Sequence, residues 1–167
     1  MLKVASPSST VGFTSLSSST HATISTQLEA VVSKTSSSKK PAQHFVSQES
    51  ILTYLASASP PIPISKVCLL DPKAPKALSP EDGQPGKFEF FLFGGILGDD
   101  PPRDRTGELR AMGFEGRHLR EVQMTTDTAL HVTKLVVEDQ SEFGRGGNLF
   151  RRTWMILTIR NVLFSPS

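Results

Sequence analysis

Phe88-Glu89-Phe90-Phe91-Leu92-Phe93-Gly94-Gly95-Ile96-Leu97-Gly98-Asp99-Asp100-Pro101-Pro102-Arg103-Asp104-Arg105-Thr106 is the stretch whose reading decides the fold of this 167-residue chain. Its first six residues form an aromatic run too short for a free-standing helix. Bounded by Gly86 and by Gly94-Gly95, that run predicts a buried strand. Three glycines within five positions, followed by two prolines, predict a tight and stiff loop at the strand's carboxyl end. In open α/β sheets ligands gather at that end, and glycine lets backbone approach them closely. The glycine spacing is not the dinucleotide fingerprint, so a Rossmann cofactor site is not expected here.

Working outward, Thr106 to Met112 favours a short helix that Gly113 ends, and Arg117 to Gln123 fits a brief strand. Thr125 or Thr126 can then cap a helix with Asp127 in its first turn and Ala129, Val132, Thr133 and Val136 along one face. Upstream, Lys66-Val67-Cys68-Leu69-Leu70 reads as a strand in which Cys68 is a small buried hydrophobe. One cysteine excludes an intramolecular disulfide and a cysteine-rich metal site. His21, His44, His118 and His131 have no ligand spacing, so no metal is expected.

Three segments carry a resemblance: VCLLDPKAPKALSPED (67–82), FGGILGDDPPRDRT (93–106) and QMTTDTA (123–129). In this order they resemble the trefoil-knotted SPOUT superfamily. The closest likeness is to its fungal protein-arginine methyltransferases, which act on a small-subunit ribosomal protein. The likeness covers about Val67 to Asp139. It implies an α/β fold, a knotted SPOUT-type parallel sheet with flanking helices, in which S-adenosyl-L-methionine is bound bent inside the knot. Carried over by the same resemblance, Gly94, Gly95, Ile96, Leu97, Gly98 and Asp99 form one wall of the cofactor site. Leu119 to Thr126, with Gln123, Met124 and Thr125, form the other, and Ala129 lets the helix approach the cofactor closely. An adenine needs an apolar slot with a few backbone donors and acceptors, which Ile96, Leu97, Leu119 and Met124 would supply.

Methyl transfer from sulfur to a guanidinium must align donor and acceptor and manage two adjacent positive charges. Arginine hardly loses its proton in water, so a carboxylate must orient the group and accept a proton as bonding proceeds. Asp99, Asp100 and Asp104 are the candidates, with Asp99 first because it closes the glycine turn. Arg105 is assigned to organising that loop or the cofactor's carboxylate. Taken without the resemblance, Gly94-Gly95 is a turn, the Asp/Arg-rich loop a solvated ion-pair network, and Leu119 and Met124 core.

Residues 1–66 carry a net charge of +3, residues 67–140 of −4 and residues 141–167 of +3. An acidic central segment suits a basic protein better than a phosphate backbone. That favours the arginine branch, with nucleic acid not expected as a partner. An RNA methyltransferase of the same superfamily is the alternative, as is a degenerate cofactor-binding or interaction protein using the basic tail after Arg145. The resemblance favours a monomer. No apolar run approaches the roughly 20 residues of a membrane span. No secretory signal is evident, and the Ser-rich amino end lacks the arginines of a transit peptide, so a cytoplasmic protein is expected.

Residues 1–43 are dominated by Ser and Thr with Glu29 as the single acid, which predicts disorder apart from a helical turn or two at Leu28 to Val32. No counterpart of the family's first strand is expected there, leaving the sheet incomplete on its N-terminal side. The methyltransferase-like domain is placed at 44–140 and a divergent tail at 141–167. Within that tail Thr153 to Phe164 suits a strand or a short helix without family counterpart. A truncated or misassembled gene product would have such ends.

Overall fold

A computed structural model describes residues 9–33, 42–94, 104, 106–119, 124–139 and 154–158. The described strands are β1 (Thr10–Thr14), β2 (Gln43–Val46), β3 (Val67–Leu70), β4 (Phe90–Gly94), β5 (Glu115–Arg117) and β6 (Trp154–Thr158). They form one sheet in the order β2-β1-β6-β4-β3-β5, and every neighbouring pair is parallel. The helices are α1 (Ser18–Ser33), α2 (Ile51–Ser57), α3 (Gly107–Ala111) and α4 (Thr126–Lys134), the last continuing into a π turn at Leu135–Asp139. The α/β class expected from the sequence is therefore observed.

Parallel strands need crossover connections, and the crossing helices cover both faces of the sheet. Strands buried on both sides read as unbroken apolar runs, as Val67–Leu70 and Phe90–Phe93 do. Alternation then sorts the side chains into two layers. On one face Val11, Cys68, Phe91 and Met155 pack with Leu28 of α1 and Leu130 of α4. On the other Leu69, Leu92 and Ile156 pack with Ile51 and Leu55 of α2 and Leu109 of α3.

One register row crosses all six strands: Phe45, Gly12, Ile156, Leu92, Leu69 and Gly116. A side chain on Gly12 would run into the Phe45 ring, which fills that place and stacks on Tyr54 with centroids 4.6 Å apart and planes within 9°. At the far end of the row, the Ala74 methyl lies 3.0 Å from where a Cβ on Gly116 would stand.

The N-terminal expectation is corrected. Residues 1–43 were expected to lack order and a first strand, yet β1 is buried throughout and α1 runs for 16 residues. Thr10, Val11 and Thr14 are β-branched and suit a pleated surface, and β1 has a partner on each side. Ser17 caps α1 by accepting the Thr20 N–H at 3.2 Å, and Ile24, Leu28 and Val31 form its core stripe. The sheet thus has its N-terminal strand. Two smaller differences follow from pairing. β5 spans Glu115–Arg117, ahead of the strand expected from Arg117 to Gln123; His118 forms a parallel bridge with Ala77, and residues 120–123 of that expectation lie outside the described residues. α4 buries Leu130 and Thr133 and the π turn after it buries Val137, with Ala129 and Val136 at the margin of that face.

Candidate functional site

With all strands parallel, the chain leaves Leu70, Gly94 and Arg117 at the same edge of the sheet. Three connections emerge there: the segment after β3, the glycine loop after β4, and the segment from β5 to α4. Gly94, the last residue of β4, is half-buried in this edge. Leu119 follows β5 and packs, with Ala129, against the layer that holds Phe91, Phe93 and Leu130. Thr125 caps α4: its hydroxyl oxygen accepts the Thr128 N–H at 3.3 Å and lies 2.9 Å from the Thr128 hydroxyl. Met124 and Thr126 are half-buried beside it. Of the residues expected to contact a cofactor, Gly94, Leu119, Met124, Thr125, Thr126 and Ala129 thus belong to one end of the sheet. Gly95, Ile96, Leu97, Gly98 and Gln123, and the catalytic candidates Asp99 and Arg105, lie outside the described residues, as does Asp100.

A polar network sits on the helix α3 side of the same edge. Asp71, the residue after β3, is buried, and its carboxylate accepts from Arg110 Nε at 2.6 Å, Thr106 Oγ1 at 2.9 Å and the Lys73 N–H at 3.0 Å. Burial pushes this carboxyl up, but the three donors and the Arg110 charge outweigh it and hold the group below its ordinary range. Asp104 takes a 2.7 Å hydrogen bond from Lys73 Nζ, accepts from Thr106 Oγ1 at 3.1 Å, and has Arg110 at 3.6 Å. The Lys73 bond above all brings the Asp104 carboxyl down to about 2. Asp104 is thus tied to Lys73 and Thr106 through a partly exposed ion pair.

The opposite side of β5 carries a second buried pair. Arg117 Nε donates to both Asp82 oxygens at 3.0 and 3.1 Å, its other nitrogens reach Glu115 at 2.8 Å and the Gly116 carbonyl at 2.9 Å, and the guanidinium lies over the Phe88 ring. Asp82 also accepts the Ser79 N–H at 3.0 Å, so the short 3-10 turn at Pro80–Gly83 is tied to β5. Val137 of the π turn packs over Gly83, where an added Cβ would lie 2.8 Å from Val137 Cβ. The sequence reading assigned no role to Asp71, Thr106, Arg110, Asp82 or Arg117. The one local signal was a lone carboxylate directly after an apolar run, at Asp71.

Among the described residues no group of His, Cys, Asp and Glu is arranged to hold a metal ion. No described helix is long and apolar enough to cross a membrane. Burial pushes the Cys68 thiol up, away from any nucleophilic role.

Comparison with known proteins places this edge in context. The model of the family described as "Protein arginine N-methyltransferase SFM1-like" matches residues 1–145. The chain is 52% identical over 81 residues to protein arginine N-methyltransferase SFM1 of Saccharomyces cerevisiae. That alignment takes in 47% of this chain and 37% of the yeast protein's length. The crystal structure of the yeast arginine methyltransferase SFM1 complexed with SAM superposes with a TM-score of 0.54 at 30% identity, covering 84% of this chain and 74% of that one. A structure described as a novel protein arginine methyltransferase gives 0.56 at 35% identity, covering 77% and 60%. The matched residues begin ahead of β1, which again corrects the expected divergence of the amino end; β6 lies beyond them.

Proposed function

The chain belongs to the SFM1-like family of protein arginine N-methyltransferases, and from that membership we propose that it transfers the methyl group of S-adenosylmethionine to a guanidinium nitrogen of a basic protein. The observation that supports this most is the convergence of Gly94, Leu119, Met124 and the capped start of α4 at one carboxyl edge of an all-parallel sheet. Ligands of open α/β sheets bind at that edge.

The described residues fit the methyl donor. Leu119, Met124 and Ala129 are each only partly buried at this edge, so the first two would offer apolar surface to an adenine and Ala129 would let it approach α4. When bound, S-adenosylmethionine supplies an electrophilic methyl: an S–C bond breaks, an N–C bond forms, a thioether is left, and the guanidinium loses one proton. We assign the Gly94 to Gly98 loop and the Leu119 to Thr126 segment, Gln123 included, as the two walls. Asp99 orients the guanidinium and receives its proton, and Arg105 organises the loop or pairs with the donor's carboxylate.

The acidic balance of residues 67–140 supports a basic protein partner over RNA. The resemblance further points to a small-subunit ribosomal protein as substrate, to a knotted SPOUT topology, and to a monomer acting in the cytoplasm. The test is incubation of the chain with S-adenosylmethionine and small ribosomal subunits, read by mass spectrometry for methylarginine. Methylarginine is expected with the parent chain and none with Asp99→Asn, which should still bind the donor. Methylated RNA beside unmodified protein, or no transfer by a donor-saturated chain, overturns the proposal.

A further inference from the structure

Arg117 is the last residue of β5, and Leu119 follows it by two positions. The backbone between them is held by the segment after β3. The Arg117 carbonyl accepts the Asp71 N–H at 2.9 Å, the His118 N–H donates to the Lys76 carbonyl at 2.8 Å, and the His118 carbonyl accepts the Leu78 N–H at 2.9 Å. The Arg117 side chain meanwhile binds Asp82 of the 3-10 turn Pro80–Gly83. The far end of α4 rests on that same turn. A methyl added to Gly83 would lie 2.8 Å from Val137 Cβ and 2.9 Å from the Val137 carbonyl oxygen. Phe88, whose ring centroid lies 5.1 Å from the Arg117 guanidinium carbon, belongs to the layer that holds Leu119, Ala129 and Val137. One ion pair therefore connects the strand that delivers Leu119 to the turn on which α4 rests.

Asp82 and Arg117 are only 6% and 8% exposed. Burying two charges is costly, and apolar residues of similar volume often stabilise as well or better. Apolar contact is also non-directional. A guanidinium adds direction: its rigid fork reaches Asp82, Glu115 and the Gly116 carbonyl at once, with Phe88 against its face. Leu119 and Ala129 stand on different elements of one layer. The width of an apolar slot between them depends on how β5 and α4 are held relative to each other.

Resting on the methyl-donor reading above, we propose that the Asp82–Arg117 pair is the positioning group that sets Leu119 against α4, and thereby the affinity of the site for the adenosine end of S-adenosylmethionine. Neither residue touches the donor; both act through Leu119 and through α4. When the pair is weakened, the slot holds its binding shape for a smaller fraction of the time, and the apparent affinity falls by that fraction.

The experiment is calorimetric titration of the full chain with S-adenosylmethionine and, separately, with 5′-methylthioadenosine, which keeps the adenosine but lacks the amino-acid end. Asp82→Asn weakens the pair while Glu115 still balances the Arg117 charge. Gly83→Ala leaves the pair in place and pushes on the backbone of Val137, so it decides the matter where Asp82→Asn does not fold. Circular dichroism under the titration conditions shows which variants are folded. A slot in its binding shape about a fifth of the time binds about fivefold more weakly. A rise in Kd of that order, equal for the two ligands, is expected in each variant. Ile156→Val, on the opposite face of the sheet, loses stability and should keep both Kd values. Unchanged Kd values in the folded Asp82 and Gly83 variants make the pair merely structural and overturn the inference alone. A rise confined to S-adenosylmethionine does the same, because the adenosine end is then unaffected. A parent chain that binds neither ligand overturns the methyl-donor reading, and this inference with it.

Discussion

Replacing Ile156 by alanine probes the strand on which the sheet's continuity depends. β6 lies outside the family-matched residues 1–145, yet it stands between β1 and β4 with five register pairs to each. Ile156 is fully buried, opposite Gly12 on one side and Leu92 on the other. The substitution deletes three carbons, and at about 0.8 kcal/mol per buried methylene the transfer loss is about 2.4 kcal/mol. The neighbours cannot close the space easily: Gly12 has no side chain, and the Phe45 ring over it is held against Tyr54. A residual cavity therefore adds to the cost and brings the total to about 3–4 kcal/mol, inside the range of about 2–5 for such changes. Ile156→Val should cost about 0.5–1.5 kcal/mol. Against a total stability of about 5–15 kcal/mol, the alanine variant loses a large fraction. Urea unfolding followed by circular dichroism measures it, with a lower midpoint and an unchanged slope expected. Leu52→Ala on the exposed face of α2 is the control, expected to cost about 0.5 kcal/mol or less. If Ile156→Ala shifts the midpoint no further than this control, β6 is not a central strand and the packing described for it is wrong.

Three other outcomes follow from the packing and the charges. Gly12→Ala should destabilise by about 1–3 kcal/mol, since its methyl displaces the Phe45 ring, and the stacked pair's near-ultraviolet signal should change with it. Thr125→Ala removes the cap of α4 and should cost about 0.5–2 kcal/mol by thermal or urea unfolding, whereas Thr125→Ser should cost little. The Asp71 and Asp104 carboxyls are held below their unfolded values, Asp104 at about 2. Groups so depressed bind fewer protons folded than unfolded. Their stabilisation is therefore present above about pH 4 and is lost as the pH falls towards about 2. Lys73→Met should flatten the part of this acid slope due to Asp104, measured by unfolding between those pH values. Because Lys73 and Asp104 are exposed, its effect at pH 7 should be only about 0.2–1 kcal/mol.

What the sequence disclosed was what local rules determine. The Phe88 to Phe93 run lies between glycines and holds a buried strand that starts at Phe90, two residues later than expected, and Thr125 lies three residues from the N–H it caps. Gly113 ends α3 as expected, at φ +89°, a region open to glycine. β1 escaped notice because Thr10-Val11-Gly12-Phe13-Thr14 has only two large apolar residues in a Ser/Thr-rich surrounding. It is a strand because β2 and β6 flank it, and β6 comes from more than a hundred residues away. The Asp/Arg-rich loop was ambiguous for a similar reason. Asp104 meets Lys73, 31 positions earlier, and Asp71 meets Arg110, 39 positions later. Contacts at such separations leave no periodicity in sequence.

Binding of S-adenosylmethionine to the full chain, measured by isothermal titration calorimetry on protein shown to be folded by circular dichroism, tests the site at the carboxyl edge most directly. Saturable binding at one site per chain is predicted, lost in Gly95→Val. A folded chain that gives no binding heat, with no stabilisation against heat or urea by excess donor, would contradict a methyl-donor site at this edge.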